Sequence, residues 1–248
     1  MKAIILSAGD SSRLGNLTKE LPKSLLDING KSIIQRQIET FRNNGIKEII
    51  VVVGSNKDKF QLNDVEFVID KNFQEHDILG SLMEAKNYIK NDVLIFYSDI
   101  LFEEKVLKQI LSSDSDIGIV VERNWESAYV GRTDHPKSEA ENVLIDGTKR
   151  IVKIQKNIKN SREHVSEFLG ITKLSPNGSE AIVTIYENLL KTHSGNFHDS
   201  KSLEKAYLTD MFQELIETGI NLEPIFINGK WCEIDTIQDL ENARNLFS

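Results

Sequence analysis

Residues 2 to 26 read KAIILSAGDSSRLGNLTKELPKSLL: an apolar strand from Ala3 to Leu6, a loop of small residues with Gly9, Ser11, Ser12, Arg13 and Gly15, and then Pro22-Lys23 ahead of a second apolar run. Glycine and serine after a parallel strand let backbone N–H groups approach phosphate oxygens, and Arg13 and Lys23 add positive charge at the same place. This combination is suited to holding a triphosphate. Two common glycine-rich loops do not fit. A Walker loop needs GxxxxGK followed by Ser or Thr, whereas Gly15 is followed by Asn16. The dinucleotide fingerprint needs GxGxxG, and Gly9-Asp10-Ser11-Ser12-Arg13 lacks its second glycine.

A reaction on a bound triphosphate builds negative charge on the departing phosphate oxygens, so it needs Mg²⁺ and cations more than a covalent nucleophile. Mg²⁺ takes hard oxygen ligands, usually carboxylates with phosphates and waters. Two carboxylates stand where they could serve: Asp99, after the strand Asp92 to Tyr97, and Asp235, in the phrase WCEIDT. Taken alone, each also suits a turn or a helix cap. His76, His135, His164, His193 and His198 show no i, i+4 pair and no cysteine neighbour, so their spacing supports no transition-metal site.

The elements that must position these groups alternate. Apolar strands are expected at 3–6, 24–28, 48–53, 66–69, 92–97 and 116–121, with helices after Ser32 and over 78–89 and 103–112. Ser32 is placed as an N-cap and Gly45 as a C-terminal cap, and the β-branched run to Val53 reads as a strand buried on both faces. Such alternation predicts a doubly wound, mostly parallel sheet, whose ligands bind beyond the carboxyl ends of the strands. From about 122 the pattern turns to short strands (143–145, 151–154, 167–174), an antiparallel extension. Helices near 176–191 and 203–218, strands at 222–227 and 231–234, and a helix capped by Thr236 complete the chain. The organisation is thus one Rossmann-like α/β domain over 1–248: a nucleotide-binding core at 1–121, an acceptor-binding extension at 122–175, and C-terminal helices with sheet-completing strands at 176–248.

The chain has 248 residues, 40% of them hydrophobic, enough for a sizeable single core. Its net charge of −8 argues against general attraction to nucleic acid, so lysine and arginine must act locally on a small anion. The lone Cys232 forms no internal disulfide. A strand begins after Met1-Lys2 with no signal-peptide pattern, and no apolar run approaches the roughly 20 residues that span a bilayer. A cytoplasmic protein with no membrane partner is expected.

An apolar strand followed by SAGxSxRLG and a Pro-Lys pair resembles the sugar-phosphate nucleotidyltransferases. Three phrases narrow this: AYVGRTDHP (128–136), FHDSKSLEKAYLTDMFQELIETG (197–219) and KWCEIDTIQDLENA (230–243). They look like the phosphonate cytidylyltransferases associated with phosphoenolpyruvate mutase, relatives of the phosphocholine cytidylyltransferases. One departure is Ser98 where the usual phrase is Gly-Asp.

The resemblance implies a single nucleotidyltransferase domain that joins CTP to a small alkylphosphonate and releases pyrophosphate. Asp99 and Asp235 would hold Mg²⁺, and Arg13, Lys23 and Lys153 would join them in catalysis. Leu6, Ala8, Gly9, Asp10, Ser11, Ser12, Arg13, Lys23, Gly80 and Ser81 would bind the nucleotide. Tyr129, Arg132, Asp134 and Lys156 would bind the acceptor; Arg132 could instead pair with Asp134, and Lys153 and Lys156 could be solvated. A phosphonate is ionised at neutral pH, so its attack needs no general base. An aminoethyl acceptor would need a desolvated carboxylate or an aromatic box; Trp125 and Tyr129 could form such a wall but more often pack, so the expectation leans to 2-hydroxyethylphosphonate. A phosphocholine or sugar-1-phosphate nucleotidyltransferase is the alternative within enzymes, and a non-catalytic nucleotide-binding module the alternative outside them. Relatives leave room for a homodimer, though no apolar stripe demands one.

Overall fold

A computed structural model describes residues 1–9, 14, 21–158 and 164–248 of the chain. Strand β1 (Lys2–Ser7) is hydrogen-bonded in parallel to β4 (Glu48–Val53) on one side and β6 (Val93–Tyr97) on the other. Its side chains alternate between two cores. Ile4 and Leu6 meet the layer of α2 (Ile78–Glu84), α4 (Pro176–Thr192) and α5 (Leu208–Glu217). Ala3 and Ile5 meet the layer of α1 (Ile33–Asn43) and α3 (Glu104–Leu111). Each fully buried Ile or Leu contributes about 1.5–3 kcal/mol, and burial on both faces explains why β1 and β4 carry continuous apolar runs.

Beyond β4 lies β5 (Glu66–Ile69), also parallel. On the far side of β6, strand β11 (His164–Leu174) runs antiparallel to β6, to β8 (Ile117–Glu122) and to β9 (Glu141–Ile145). Strand β10 (Ile151–Lys156) is antiparallel to β9, and β12 (Glu223–Phe226) is parallel to β8. In this nine-stranded sheet only β10 and β11 oppose the common direction, so the sheet is mixed and mostly parallel. The strand expected at 116–121 does not adjoin β6 as a plain parallel series would have it; β11 lies between them.

The ladder of β11 with β8 shifts register between Phe168 and Thr172. Gly170 at this bulge has φ +65°, and a Cβ there would lie 2.4 Å from Cδ2 of Tyr97. Only glycine permits both the backbone and the ring contact.

Local signals set several boundaries. Ser32 and Gln35 form a capping box at the start of α1, and Gly45 follows its end with φ +83°. The helix expected over 78–89 ends at Glu84 and continues as a 3₁₀ turn, Lys86–Tyr88. Helix α5 begins at Leu208 rather than near 203, because the Asp210 carboxylate accepts the Tyr207 backbone N–H at 2.8 Å and fixes the first turn. Helix α6 (Ile237–Leu246) starts at a capping box of Thr236 and Asp239.

A third core joins distant parts of the sequence. Leu26, Ile28 and Ile33, around the hairpin of β2 (Asp27–Ile28) and β3 (Lys31–Ser32), pack with Leu101, Ile234, Leu240 and Ala243. Beside it, β7 (Ile100–Phe102) pairs antiparallel with β13 (Trp231–Glu233), Ile100 opposite Glu233 and Phe102 opposite Trp231. Among the described residues no helix is long and apolar enough to cross a membrane.

Candidate active site

The parallel strands β1, β4 and β6 end at one edge of the sheet, where Ser98 donates its backbone N–H to the Leu6 carbonyl at 3.2 Å. A cavity of about 690 Å³ opens there, between the ends of β1 and β6 and the strands β9, β10, β11 and β13. Its wall includes Leu6, Ala8, Gly9, Lys23, Ser81, Asp99, Tyr129, Lys156 and Asp235, all expected site residues.

Asp99 follows β6 and Asp235 follows β13, and the β7–β13 ladder makes them neighbours: Ile234 N–H donates to the Asp99 carbonyl at 3.1 Å. Lys23 lies between the two carboxylates, its Nζ 2.8 Å from Asp99 Oδ2 and 2.6 Å from Asp235 Oδ1. Burial alone would lower the Lys23 pKa, but Asp99 and Asp235 outweigh it and hold the ammonium charged beyond its ordinary range. Gln37, on α1, fixes the Asp99 turn from below by donating from Nε2 to the carbonyls of Tyr97 at 2.9 Å and Ile100 at 2.7 Å. Gln37 is buried on α1 among Ile33, Ile34, Ile38 and Phe41, and a polar residue at such a core position is the sequence signal of this role.

The residues fit a hard divalent cation. Asp99 Oδ1 is buried and has no hydrogen-bond partner among the described residues, which is an acceptor left over for another ligand. His135 Nδ1 lies 3.0 Å from Asp235 Oδ2, and His135, Glu233 and Asp235 could converge on one ion. Histidine spacing in the sequence did not reveal this, because His135 meets Asp235 only through the fold.

The structure brings other expected residues elsewhere. Arg132 is drawn into a buried clamp, Nε 2.6 Å from Asp239 Oδ1 and one Nη 3.0 Å from Asp239 Oδ2 and 3.2 Å from Glu233. Its partner is Asp239, not Asp134. Burial opposes both charges, but the guanidinium holds the Asp239 carboxyl below the usual carboxylate range. Asp134 is exposed, off the cavity, and accepts the Thr133 hydroxyl at 3.0 Å. Lys153 is exposed on β10 and also lies off the cavity. Gly80 is a packing position, since a Cβ would sit 2.7 Å from the His76 ring and 2.9 Å from the Glu204 carbonyl. Ser81 reaches the cavity and donates to the fully buried Asp70 at 2.7 Å, which also holds His76. Asp10, Ser11, Ser12 and Arg13 lie outside the described residues.

Trp125 and Tyr129 meet edge to face at 5.7 Å, and the Trp125 indole N–H donates to the Val165 carbonyl, so Trp125 is a packing residue that supports Tyr129. The Tyr129 hydroxyl donates to Glu167 Oε1. Glu141, Glu167 and Glu233 also line the cavity. Burial pushes Glu141 and Glu167 up to about 8, with Lys156 offsetting part of it at Glu141 and the Tyr129 hydrogen bond part of it at Glu167. Neither glutamate was singled out in the sequence, where Glu167 opens the strand expected at 167–174 and Glu141 lies ahead of the one expected at 143–145.

Residues 3–158 match the family described as the MobA-like NTP transferase domain. The chain is 32% identical to the CTP:phosphoglutamine cytidylyltransferase of Campylobacter jejuni, over 97% of this chain and 98% of that protein. Among solved structures, the inositol-1-phosphate CTP transferase from T. maritima superposes with a TM-score of 0.77 at 22% identity, covering 99% of this chain and 94% of the other. The CTP:phosphocholine cytidylyltransferase from Streptococcus pneumoniae gives 0.75 at 20% identity, covering 100% and 99%. With its mixed, mostly parallel sheet flanked by helices and its carboxylates at the strand ends, the chain belongs to the MobA-like NTP transferase family.

Proposed function

We propose that this chain is a Mg²⁺-dependent cytidylyltransferase that couples CTP to a small alkylphosphonate and releases pyrophosphate. The observation that carries the reading is the Asp99–Lys23–Asp235 cluster at the carboxyl edge of the sheet, inside the cavity. The preference for cytidine is supported by the three relatives named above, each described by its use of CTP or by cytidylyl transfer. The phosphonate is supported by the phrases at 128–136 and 197–219.

In this reaction a phosphonate oxygen attacks the α-phosphorus of CTP, forming a P–O bond as the α–β bridging P–O bond breaks and its electron pair leaves with pyrophosphate. The acceptor is already an anion, so no general base is required. The chain must align two anions that repel each other and neutralise charge on the leaving group. Lys23 places a fixed positive charge at the carboxylate pair, and Lys156 places another on the cavity wall. Asp99 and Asp235 would hold Mg²⁺, which when bound draws negative charge off the phosphate oxygens. Because Lys23, Asp99 and Asp235 are all retained, a non-catalytic module is the weaker reading.

A phosphorylated acceptor is the second reading, favoured by the 32% identity to a protein named for phosphoglutamine. Pyrophosphate release, measured with Mg²⁺ and each of the four NTPs against 2-hydroxyethylphosphonate, 2-aminoethylphosphonate, phosphoglutamine, phosphocholine and glucose 1-phosphate, decides between them. Activity with CTP and a phosphonate is expected. Turnover confined to phosphoglutamine or another phosphate ester keeps the transferase and overturns the phosphonate; silence with every pair overturns the enzyme.

A further inference from the structure

Among the described residues, three groups bring one histidine and two carboxylates within reach of a single ion: Asp70, His76 and Glu84; His198, Glu214 and Glu217; and His135, Glu233 and Asp235. In the first two the imidazole already has its partner. His76 Nδ1 lies 3.0 and 3.1 Å from the two Asp70 oxygens, and His198 Nε2 lies 2.9 Å from Glu214 Oε2. Each is a completed hydrogen bond that leaves the ring nitrogen satisfied.

His135 is different. The residue is only 4% exposed, and its Nδ1 is buried without a hydrogen-bond partner among the described residues, although Asp235 Oδ2 lies 3.0 Å away. That distance suits a hydrogen bond, so it is the direction that fails: the bonding axis of the nitrogen passes beside the oxygen. Two ligands of one ion, each about 2.1 Å from it, lie about 3.0–3.4 Å apart and point at the ion instead of at each other. Glu233 completes the set. Its Oε2 accepts from Arg132 at 3.2 Å, which leaves Oε1 as a donor to an ion. The guanidinium is matched by Asp239, at 2.6 and 3.0 Å, so it does not cancel the charge of Glu233.

A nitrogen among the donors separates this group from the all-oxygen pair of Asp99 and Asp235. Mg²⁺ takes oxygen ligands, whereas imidazole suits Zn²⁺ and its first-row neighbours. We propose that His135, Glu233 and Asp235 form a second cation site, which takes Zn²⁺ in preference to Mg²⁺ and uses Asp235 Oδ2 while Oδ1 stays with Lys23. All three residues belong to the cavity wall, so an ion has a way in, and three protein ligands leave it a coordination position for an oxygen of a bound molecule. The site goes beyond the transferase reading and does not rest on it.

Equilibrium dialysis of the chelator-treated full chain against Zn²⁺ tests the site without turnover. One equivalent should bind and remain bound in excess Mg²⁺, and X-ray absorption at the zinc edge should show one imidazole nitrogen. In His135→Gln and in Glu233→Gln the zinc affinity should fall at least about tenfold, whereas Asp99→Asn and His198→Gln should keep it. Unchanged affinity in both of the first two variants overturns the proposal, as does an equal loss in Asp99→Asn, which would return the ion to the all-oxygen pair. If His135→Gln does not keep the native circular dichroism, Glu233→Gln and the wild-type absorption spectrum decide, and a zinc shell without imidazole nitrogen overturns the site.

Discussion

The backbone carbonyl of Asp99 accepts a hydrogen bond from Ile234, and through this one contact two carboxylates 136 positions apart in sequence come to share Lys23. The pair is held by backbone pairing of β7 with β13, not by side-chain attraction, so removing one carboxyl group should leave the other in place.

Asp99→Asn is therefore expected to keep the fold and lose the reaction. Lys23 retains Asp235, so the melting temperature should stay within a few degrees, while kcat for pyrophosphate release should fall by about a thousandfold, as for loss of one group that faces developing charge. Unimpaired turnover in this variant would remove Asp99 from the mechanism.

Arg132 was expected to bind the acceptor, but its guanidinium clamps Asp239, which also accepts the backbone N–H groups of Asp235 and Thr236 at 3.1 and 2.9 Å. Arg132→Ala should cost about 3 kcal/mol in urea unfolding, the range for leaving one partner of a buried ion pair uncompensated. The pH dependence follows from the sign of the Asp239 shift. Its folded pKa is lowered, so its contribution is present above the ordinary aspartate value of about 3.9 and is lost as pH falls through the folded value. Acid unfolding followed by fluorescence should be less steep in the alanine variant.

Much of the fold was legible because local chemistry agreed with it. Ser32, Gly45 and Thr236 cap their helices as their types predict, and the apolar runs of β1, β4 and β6 are buried on both faces. What was illegible depends on non-local pairing. Strand β7 has only three residues, too few for a period, and acquires its structure from β13. Arg132 finds Asp239 across 107 residues, and nothing near Glu141 or Glu167 in sequence reveals that β9 and β11 bury them. Asp99 and Asp235 could be read individually, but not Gln37, which holds the turn of the first.

The free protein should lose stability as alkalinity rises. Glu141 and Glu167 hold their protons up to about 8 in the folded chain, against about 4.3 for an ordinary glutamate. The folded state binds more protons between those values, so the contribution is full below the unfolded pKa and is lost as pH rises through about 8. Urea midpoints measured from pH 6 to 8.5 should decline in the native chain and decline less in the double variant Glu141→Gln/Glu167→Gln.

Gly170→Ala should destabilise by about 2 kcal/mol, because it combines a positive-φ backbone with a methyl group driven into the Tyr97 ring. Since Tyr97 and Gly170 both line the cavity, acceptor affinity should fall with stability. Thermal unfolding and calorimetry on the same sample check both.

The three groups at the heart of the cavity are drawn from positions 23, 99 and 235, with Lys23 reaching across 76 and 212 residues. Closing loops of that length is entropically unfavourable until the sheet has paid for it with its own pairing, so these contacts form late. During synthesis, a chain that has emerged only as far as β11 has its central strands but no second carboxylate and no β13 to align the first. Competence to handle a triphosphate thus arrives only once β13 has been made, and a molecule stopped short of it has no assembled centre with which to waste one.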